Sequence, residues 1–399
     1  PVGVPAIVVD AAAPGVVDAL GRLARAVADR LPATTLVGVT GSSGKTGTKD
    51  LLAQVLSGQG PTVAPQGSYN NEIGLPLTVL RAEAGTRHLI LEMGARGAGH
   101  IRYLCRIAPP RIGVVLNVGT AHLGEFGSRE GIAASKGELV EALPAGGLAV
   151  LNADDPLALA MAGRSRARVV TFGCSPRADV AAGDITLDRL GRATFTMSTP
   201  EGSGSVRLLL HGAHQVCNAL AAACVARELG MSVDQVADAL GRARALSPWR
   251  MEVTERPDGV TVVNDAYNAN PDSMRAALQA LTAMAHGRRT WAVLGEMREL
   301  GEASADAHVA LGREAARLGV ARLIVVGDAA AGVCEGTRRE GRGSAQPVFV
   351  PDAEAAAALL ESETMPGDVV LVKASRAAGL ERVAEALLAG WSGGPEVSP

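Results

Sequence analysis

Lys45 and Thr46 stand directly behind a short turn rich in glycine and serine, Thr40-Gly41-Ser42-Ser43-Gly44. That combination suits a polyphosphate. Glycines let backbone N–H groups approach an anion, and a helix N-terminus adds a favourable dipole. The Lys45 ammonium can reach a β- or γ-phosphate, and the Thr46 hydroxyl is placed to ligate Mg²⁺. The flanks supply a scaffold. Leu36 to Thr40 is an apolar, β-branched run of the kind that forms a buried parallel strand. Lys45 to Leu56 then carries Leu51, Leu52, Val55 and Leu56 at the spacing of one helical face, stopped by Gly58, Gly60 and Pro61. The loop is tighter than the common phosphate-loop pattern, which has a glycine where this chain has Val39. A chance Gly-Ser turn before a helix is the competing reading, and the strand and helix on either side weigh against it.

Other reactive groups fall at the ends of apolar runs. Glu92 closes His88-Leu-Ile-Leu-Glu92-Met-Gly94, where a Mg²⁺-side acid sits in phosphate-loop enzymes, although a carboxylate there is often merely solvated. His122 follows the strand Arg111 to Leu116 within Asn117-Val-Gly-Thr-Ala-His122-Leu-Gly-Glu-Phe-Gly127. Ligands bind outside the carboxyl ends of parallel strands, so Thr46, Glu92 and His122 are expected to converge there. Asn70 and Asn71 lie in Ser68-Tyr-Asn-Asn-Glu-Ile-Gly-Leu-Pro76, read as a binding loop over plain turn formers. Lys136, in the helix expected over 128–143, reads on composition as a surface lysine.

Composition narrows the class. The chain has 399 residues, 47% hydrophobic and 20% charged, as in ordinary globular proteins of two or three domains. Only 3% is aromatic, so the cores must be built from Ala, Val and Leu. A net charge of −3 with scattered Lys and Arg argues against a nucleic-acid footprint. No apolar run is long enough to cross a membrane and no signal peptide is visible. Five cysteines without a CxxC pair fit reduced cytoplasmic thiols better than a disulfide frame or zinc site. The chain opens on Pro1, as a fragment would.

The order of elements predicts an α/β protein. Residues 1–35, with a strand at Ala6 to Val9 and a helix at Val16 to Arg30, read as the tail of an N-terminal domain. Residues 36–246 form the central phosphate-loop domain, ending in antiparallel strands over 178–210 and two helices, the second capped by Ser232. A boundary falls at Leu246-Ser-Pro-Trp-Arg250-Met. From Val260, strands and helices alternate strictly, which predicts a second, Rossmann-like doubly wound domain over 247–399. Its strands are placed near 260–264, 290–294, 322–326, 348–350 and 369–372. Its helices are placed near 271–285, 304–318, 329–339, 353–361 and 377–389.

Taken together, these stretches resemble the Mur ligases. Thr40-Gly-Ser-Ser-Gly-Lys-Thr, Tyr69-Asn-Asn-Glu-Ile-Gly-Leu-Pro-Leu-Thr, Glu92-Met-Gly-Ala, Asn117-Val-Gly-Thr-Ala-His-Leu-Gly-Glu-Phe-Gly-Ser and Lys136-Gly-Glu-Leu occur in that family's order. So do Asn218-Ala-Leu-Ala-Ala-Ala, Asn264-Asp-Ala-Tyr-Asn-Ala-Asn-Pro-Asp-Ser-Met, Leu294-Gly-Glu-Met-Arg-Glu-Leu-Gly and Lys373-Ala-Ser-Arg. The resemblance runs from about Leu36 to about Leu388 and implies an ATP- and Mg²⁺-dependent cytoplasmic ligase that makes an amide through an acyl phosphate. The Tyr-Asn-Asn-Glu and Asp-Ala-Tyr-Asn-Ala-Asn stretches look most like the branch that joins D-Ala-D-Ala to UDP-N-acetylmuramoyl-tripeptide in peptidoglycan synthesis.

The resemblance also implies roles. Thr46 and Glu92 would ligate one Mg²⁺ and His122 a second, and Lys136 would be carried as a carbamate facing the metal. Asn218 and Asn268 match adenine-site positions, Arg250 a phosphate-contacting arginine, and Asp265 an acid beside the nucleotide. Asn70 and Asn71 match the UDP-peptide loop, and Lys373, Ser375 and Arg376 lie where the C-terminal domain meets substrates. Membrane insertion is not expected, and a monomer is. Two departures stand out. Only the end of the family's N-terminal domain is matched, by residues 1–35, and Gly47 replaces the expected serine or threonine. The alternatives are a family ligase joining a different acid and amine (folylpolyglutamate-synthase-like or tailoring), a non-catalytic nucleotide-binding regulator, and a plain phosphate-loop kinase.

Overall fold

In the computed structural model, which describes residues 15–120, 123–341 and 346–389, the strands form two sheets. The first contains β1 (Thr35–Thr40), β2 (Thr62–Val63), β3 (His88–Glu92), β4 (Ile112–Val115), β5 (Leu148–Asn152), β6 (Arg168–Gly173), β7 (Val180–Leu187), β8 (Arg192–Thr199) and β9 (Gly202–His211). Their order is β2-β3-β1-β4-β5-β6-β7-β8-β9. The strands from β2 to β7 pair in parallel, and β7, β8 and β9 extend the sheet as an antiparallel meander.

The parallel centre is apolar for a physical reason. Every residue of β3, β4 and β5 is buried, because helices cover both faces of the sheet. One face packs against the helices Lys45–Ser57 and His214–Glu228, the other against Gly15–Ala28, His100–Ile107 and Arg129–Glu141. The helix His214–Glu228 can be built from alanine because it is buried nearly all round.

The second sheet contains β10 (Glu252–Glu255), β11 (Thr261–Asn264), β12 (Thr290–Leu294), β13 (Arg322–Val326), β14 (Pro347–Val350) and β15 (Val369–Lys373), ordered β10-β11-β15-β12-β13-β14. All pairs are parallel except β10 with β11. Two apolar clusters flank this sheet, with Trp291 its largest fully buried side chain.

Three details differ from the sequence reading. β10 had no apolar run to announce it, since Glu252–Glu255 is a largely exposed edge strand. The helix expected from Ala377 begins only at Glu381, because Gly379, with φ at 64°, breaks the chain after a short turn at Arg376–Ala378. Likewise a short turn at Asp328–Ala330 precedes the helix Gly332–Glu340. The strand expected at Ala6 to Val9 lies outside the described residues.

Candidate active site

The register of the first sheet decides what meets at its carboxyl edge. Val39 of β1 pairs with Glu92 of β3, so the loop after β1 and the acid ending β3 emerge side by side. The loop turns into the helix Lys45–Ser57 through Gly44, which caps it with φ at 83° and no side-chain hydrogen bond. Its first N–H groups are thereby left to an incoming acceptor. A Cβ on Gly44 would meet Asn218 Oδ1 at 2.5 Å, so glycine is required by both conformation and space. The loop is braced by its neighbour: Ser43 N donates to Asn117 Oδ1 (2.9 Å), and Gly119 N donates to Ser42 Oγ (2.9 Å).

Thr46 Oγ1 donates to Glu92 Oε2 at 2.9 Å, and Asn70 Nδ2 donates to the other carboxylate oxygen at 2.8 Å. Glu92 is 1% exposed. These oxygens fit Mg²⁺. Octahedral coordination at about 2.0–2.1 Å places adjacent ligand oxygens about 2.9 Å apart, which is the Thr46–Glu92 separation. His122, the other expected metal ligand, lies outside the described residues.

Two lysines line the same cavity as this carboxylate. Lys45 Nζ donates to Gly41 O at 2.7 Å, and burial lowers its pKa against the attraction of Glu92. Lys136 is not the surface lysine its composition suggests. Ser128 caps its helix, Arg129–Glu141, whose buried face carries Lys136 inward to 3% exposure. Burial, with the nearby Lys45 charge, brings Lys136 down to about 7. Two cations confined together require an anion between them or the loss of one charge.

The far wall comes from the second sheet and from the boundary segment. Arg250 donates to Ser68 Oγ at 2.6 Å and stacks its guanidinium on the Tyr267 ring, 4.2 Å from the centroid. Its Nε is buried without a hydrogen-bond partner, an orphan donor that an anionic ligand would satisfy. Trp249 and Met251, on either side, hold φ at 55° and 49°. Non-glycine residues there carry strain of about 1–3 kcal/mol each, which the surrounding contacts must hold. Met251 N donates to Asp265 Oδ1 (3.0 Å), while Lys373 Nζ donates to Asp265 Oδ2 (2.7 Å) and Asn268 O (2.7 Å). A second link across the sheets runs from Thr120 N to Asp272 Oδ2 (2.9 Å). Only glycine at position 119 admits it, since a Cβ there would lie 2.0 Å from that oxygen.

Between these walls lies a cavity of about 490 Å³ that gathers most of the expected residues: Ser42 to Thr46, Asn70, Asn71, Glu92, Lys136, Asn218, Arg250, Asp265, Asn268 and Lys373. Thr40 stays below it, tied to Met93 O. Asn71 also acts as a turn former, its Oδ1 accepting from Ile73 N and Gly74 N. Asn218 Nδ2 donates to Gln215 Oε1 at 2.9 Å, and Gly47 opens toward the same amide. Ser375 and Arg376 do not line the cavity. Ser375 Oγ accepts from Arg298 N, and Arg376 stacks on Trp249 and pairs with Glu381.

Sequence reasoning passed over Ser68, His214, Asp272 and Glu299, which also line the cavity. Ser68 and Asp272 lay inside quoted motifs. His214 is one helical turn before Asn218, a spacing that shares a face. Glu299, with φ at 65°, also lay inside a quoted motif, Leu294-Gly-Glu-Met-Arg-Glu-Leu-Gly, without being singled out there.

Comparison with known proteins accords with this geometry. Residues 39–226 match the Mur ligase middle domain, and residues 249–376 match the Mur ligase, glutamate ligase domain. A Mycobacterium tuberculosis protein named UDP-N-acetylmuramoyl-tripeptide–D-alanyl-D-alanine ligase is 54% identical, with 98% of this chain and 83% of the relative covered. The Escherichia coli protein of that name is 35% identical over 92% of this chain and 80% of its own. Among solved structures, MurF from Acinetobacter baumannii superposes with a TM-score of 0.85 at 32% identity, covering 94% of this chain and 80% of that one. MurF ligase from Thermotoga maritima in complex with ADP gives 0.84 at 33% identity, covering 96% and 87%. With identity of this level over nearly its whole length, the chain belongs to the Mur ligase family.

Proposed function

We propose that this chain is the ATP-dependent ligase that joins D-alanyl-D-alanine to UDP-N-acetylmuramoyl-tripeptide in peptidoglycan synthesis. The observation that carries the reading is the single cavity in which Lys45, Lys136 and Arg250 surround the Thr46–Glu92 oxygen pair. Such a concentration of buried basic groups beside a hard-oxygen metal set suits a nucleoside triphosphate.

The order of chemistry follows. The tripeptide carboxylate attacks the γ-phosphorus, a C–O–P bond forms, the bridging P–O bond breaks, and ADP leaves. The D-Ala-D-Ala amine then attacks the acyl carbon, an amide C–N bond forms, inorganic phosphate leaves, and the amine gives up its proton. Phosphoryl transfer of this kind depends on positioning and charge neutralisation more than on covalent help. Lys45 and the N–H groups at the start of its helix would hold the β/γ-phosphates, and Arg250 would cap them from across the boundary. Asn218, Asn268 and Asp265 would orient the nucleoside. Asn70, which already aligns Glu92, and Asn71 would form the edge facing the UDP-peptide. Lys373 would steady Asp265 and Asn268, while Ser375 and Arg376, outside the cavity, would support it through their contacts to Arg298 N and Trp249.

Thr46 and Glu92 would hold one Mg²⁺, with His122 a candidate for a second, and the metal would supply charge neutralisation at the phosphates. Lys136 is suited to carry a carbamate because burial lowers its pKa to about 7, so that a substantial share of the amine is unprotonated near neutral pH. The resulting anion is compatible with a metal where an ammonium is not.

The test is phosphate release with ATP, Mg²⁺, UDP-MurNAc-tripeptide and D-Ala-D-Ala, omitting one component at a time. Release that requires all four, with a ligated product, is expected. Release that ignores the UDP-peptide would replace the proposed acid with another. No release under any combination would remove the catalytic reading.

A further inference from the structure

Beside the nucleotide-type cavity, a different kind of site is assembled from three segments. Asp154 follows β5, Cys174 follows β6, and Cys217 lies on the helix His214–Glu228. The two sulfurs and a carboxylate oxygen of Asp154 all lie within 4.8 Å of one another. Nothing in their spacing along the chain announces this, because no two cysteines stand in a CxxC pair.

The carboxylate is held in place. Cys174 N donates to Asp154 Oδ2 at 2.6 Å and Ser175 N to Oδ1 at 2.8 Å. Gly173 makes room, since a Cβ there would come within 2.7 Å of Oδ1. An ionised carboxylate oxygen has two lone pairs, so one backbone bond on each leaves capacity for a further partner. Cys174 is exposed and Cys217 half-buried, so the cluster can be reached from solvent.

We infer that Asp154, Cys174 and Cys217 bind a soft divalent cation, Zn²⁺ by preference, at a site separate from the Mg²⁺ set of Thr46 and Glu92. Thiolates favour Zn²⁺ over Mg²⁺, whereas the all-oxygen Thr46–Glu92 pair has the opposite preference. Tetrahedral zinc with Zn–S bonds of about 2.3 Å sets its sulfurs about 3.8 Å apart, a contraction of about 1 Å or less from the outer limit of this cluster. Three protein ligands leave the fourth position to water. Binding requires loss of the thiol protons and no oxidant. The carboxylate argues for a cation over a disulfide, since its charge opposes formation of the thiolates until a positive ion compensates it.

The position carries a consequence. Cys217 both belongs to this cluster and lines the cavity, next to Asn218. An ion there would tie the loop after β6 to the helix that presents Asn218, so nucleotide affinity should respond to its occupancy.

The experiment titrates the full, reduced chain with Co²⁺ alone in the absence of nucleotide, then with Zn²⁺. One equivalent of Co²⁺ is expected to give a thiolate-to-cobalt charge-transfer band in the near ultraviolet, which Zn²⁺ removes. Cys174→Ser should abolish the band, and Asp154→Asn should weaken Co²⁺ binding at least tenfold. ADP affinity should shift at least threefold with Zn²⁺ in the wild type and not in Cys174→Ser. No band in the wild type, or a band that survives in Cys174→Ser, overturns the site. Unchanged ADP affinity with a bound ion overturns its link to the cavity.

Discussion

Replacing Lys136 with methionine should make the protein more stable at low pH. The Lys136 amine falls from its ordinary 10.5 to about 7 through burial and the neighbouring Lys45 charge. At about 1.36 kcal/mol for each pH unit between those values, holding the ammonium inside the fold costs about 5 kcal/mol below pH 7. The sign follows from proton binding. The unfolded amine keeps its proton up to 10.5 and the folded amine releases it above 7, so wild-type stability rises with pH across that window. Lys136→Met removes the charge and nearly conserves the chain length. In bicarbonate-free buffer it should therefore exceed wild type by about 3–5 kcal/mol at pH 6, with the gap closing toward pH 10. Urea unfolding from pH 6 to 9.5 reads this directly. Bicarbonate separates the carbamate from a bare amine. The neutral amine attacks CO₂, forming an N–C bond and releasing a proton, so ¹³C-bicarbonate should give a carbamate resonance in wild type alone. Turnover should be lost in Lys136→Met whatever the bicarbonate level. A stability difference that does not vary with pH would refute the reasoning, because it would mean that Lys136 keeps its ordinary proton affinity in the fold.

Three other substitutions probe other parts of the argument. Glu92→Gln preserves the Asn70 and Thr46 contacts in shape but removes the metal-facing charge; Mg²⁺-dependent turnover should fall at least a hundredfold with the unfolding midpoint nearly unchanged, and an active variant would exclude Glu92 as a ligand. Gly44→Ala places a Cβ 2.5 Å from Asn218 Oδ1 at φ 83°, so nucleotide binding should weaken, with about 1–2 kcal/mol of backbone strain visible by calorimetry. In the second sheet, burial works to raise the Asp368 carboxyl, but Arg289, Met365 N and Trp291 hold it below its ordinary value. Its contribution is present above pH about 4 and is lost as the solution is acidified past that point. Asp368→Asn should cost about 3–5 kcal/mol at pH 7, with the difference narrowing toward pH 3; a gap that persists in acid would show that charge is not involved.

What was readable in the chain and what was not divide along a physical line. β12 and β13 fall at the expected residues because an apolar run between polar turns is a local signal. The meeting of Thr46 and Glu92 was also legible, since Glu92 ends one parallel strand and Thr46 opens the helix that follows the loop after its neighbour. Composition alone put Lys136 on the surface, because exposure depends on which face of its helix finds a partner, and its small, mixed neighbours (Ala-Ala-Ser-Lys-Gly-Glu) give no amphipathic stripe; only the resemblance turned it inward. The contacts Arg250–Ser68 and Thr120–Asp272 join residues far apart in sequence and left no trace in it. The same holds for Cys174 and Cys217, whose proximity is made by β6 and the helix packed beside it.

Because the two walls of the cavity belong to different sheets, neither can be evaluated by itself. Arg250, strained between Trp249 and Met251, reaches a serine on the opposite side, and Asp272 reaches the backbone beside the phosphate-type loop. A substitution that merely rotates one sheet against the other would weaken every contact to a bound molecule together and would be recorded as an affinity mutant. The converse concerns inhibitors. A compound selected against this cavity is selected for one angle between the sheets, so its potency measures how well it wedges that angle as much as how well it matches the side chains. Resistance could then arise in the boundary segment without touching a single residue that meets the drug.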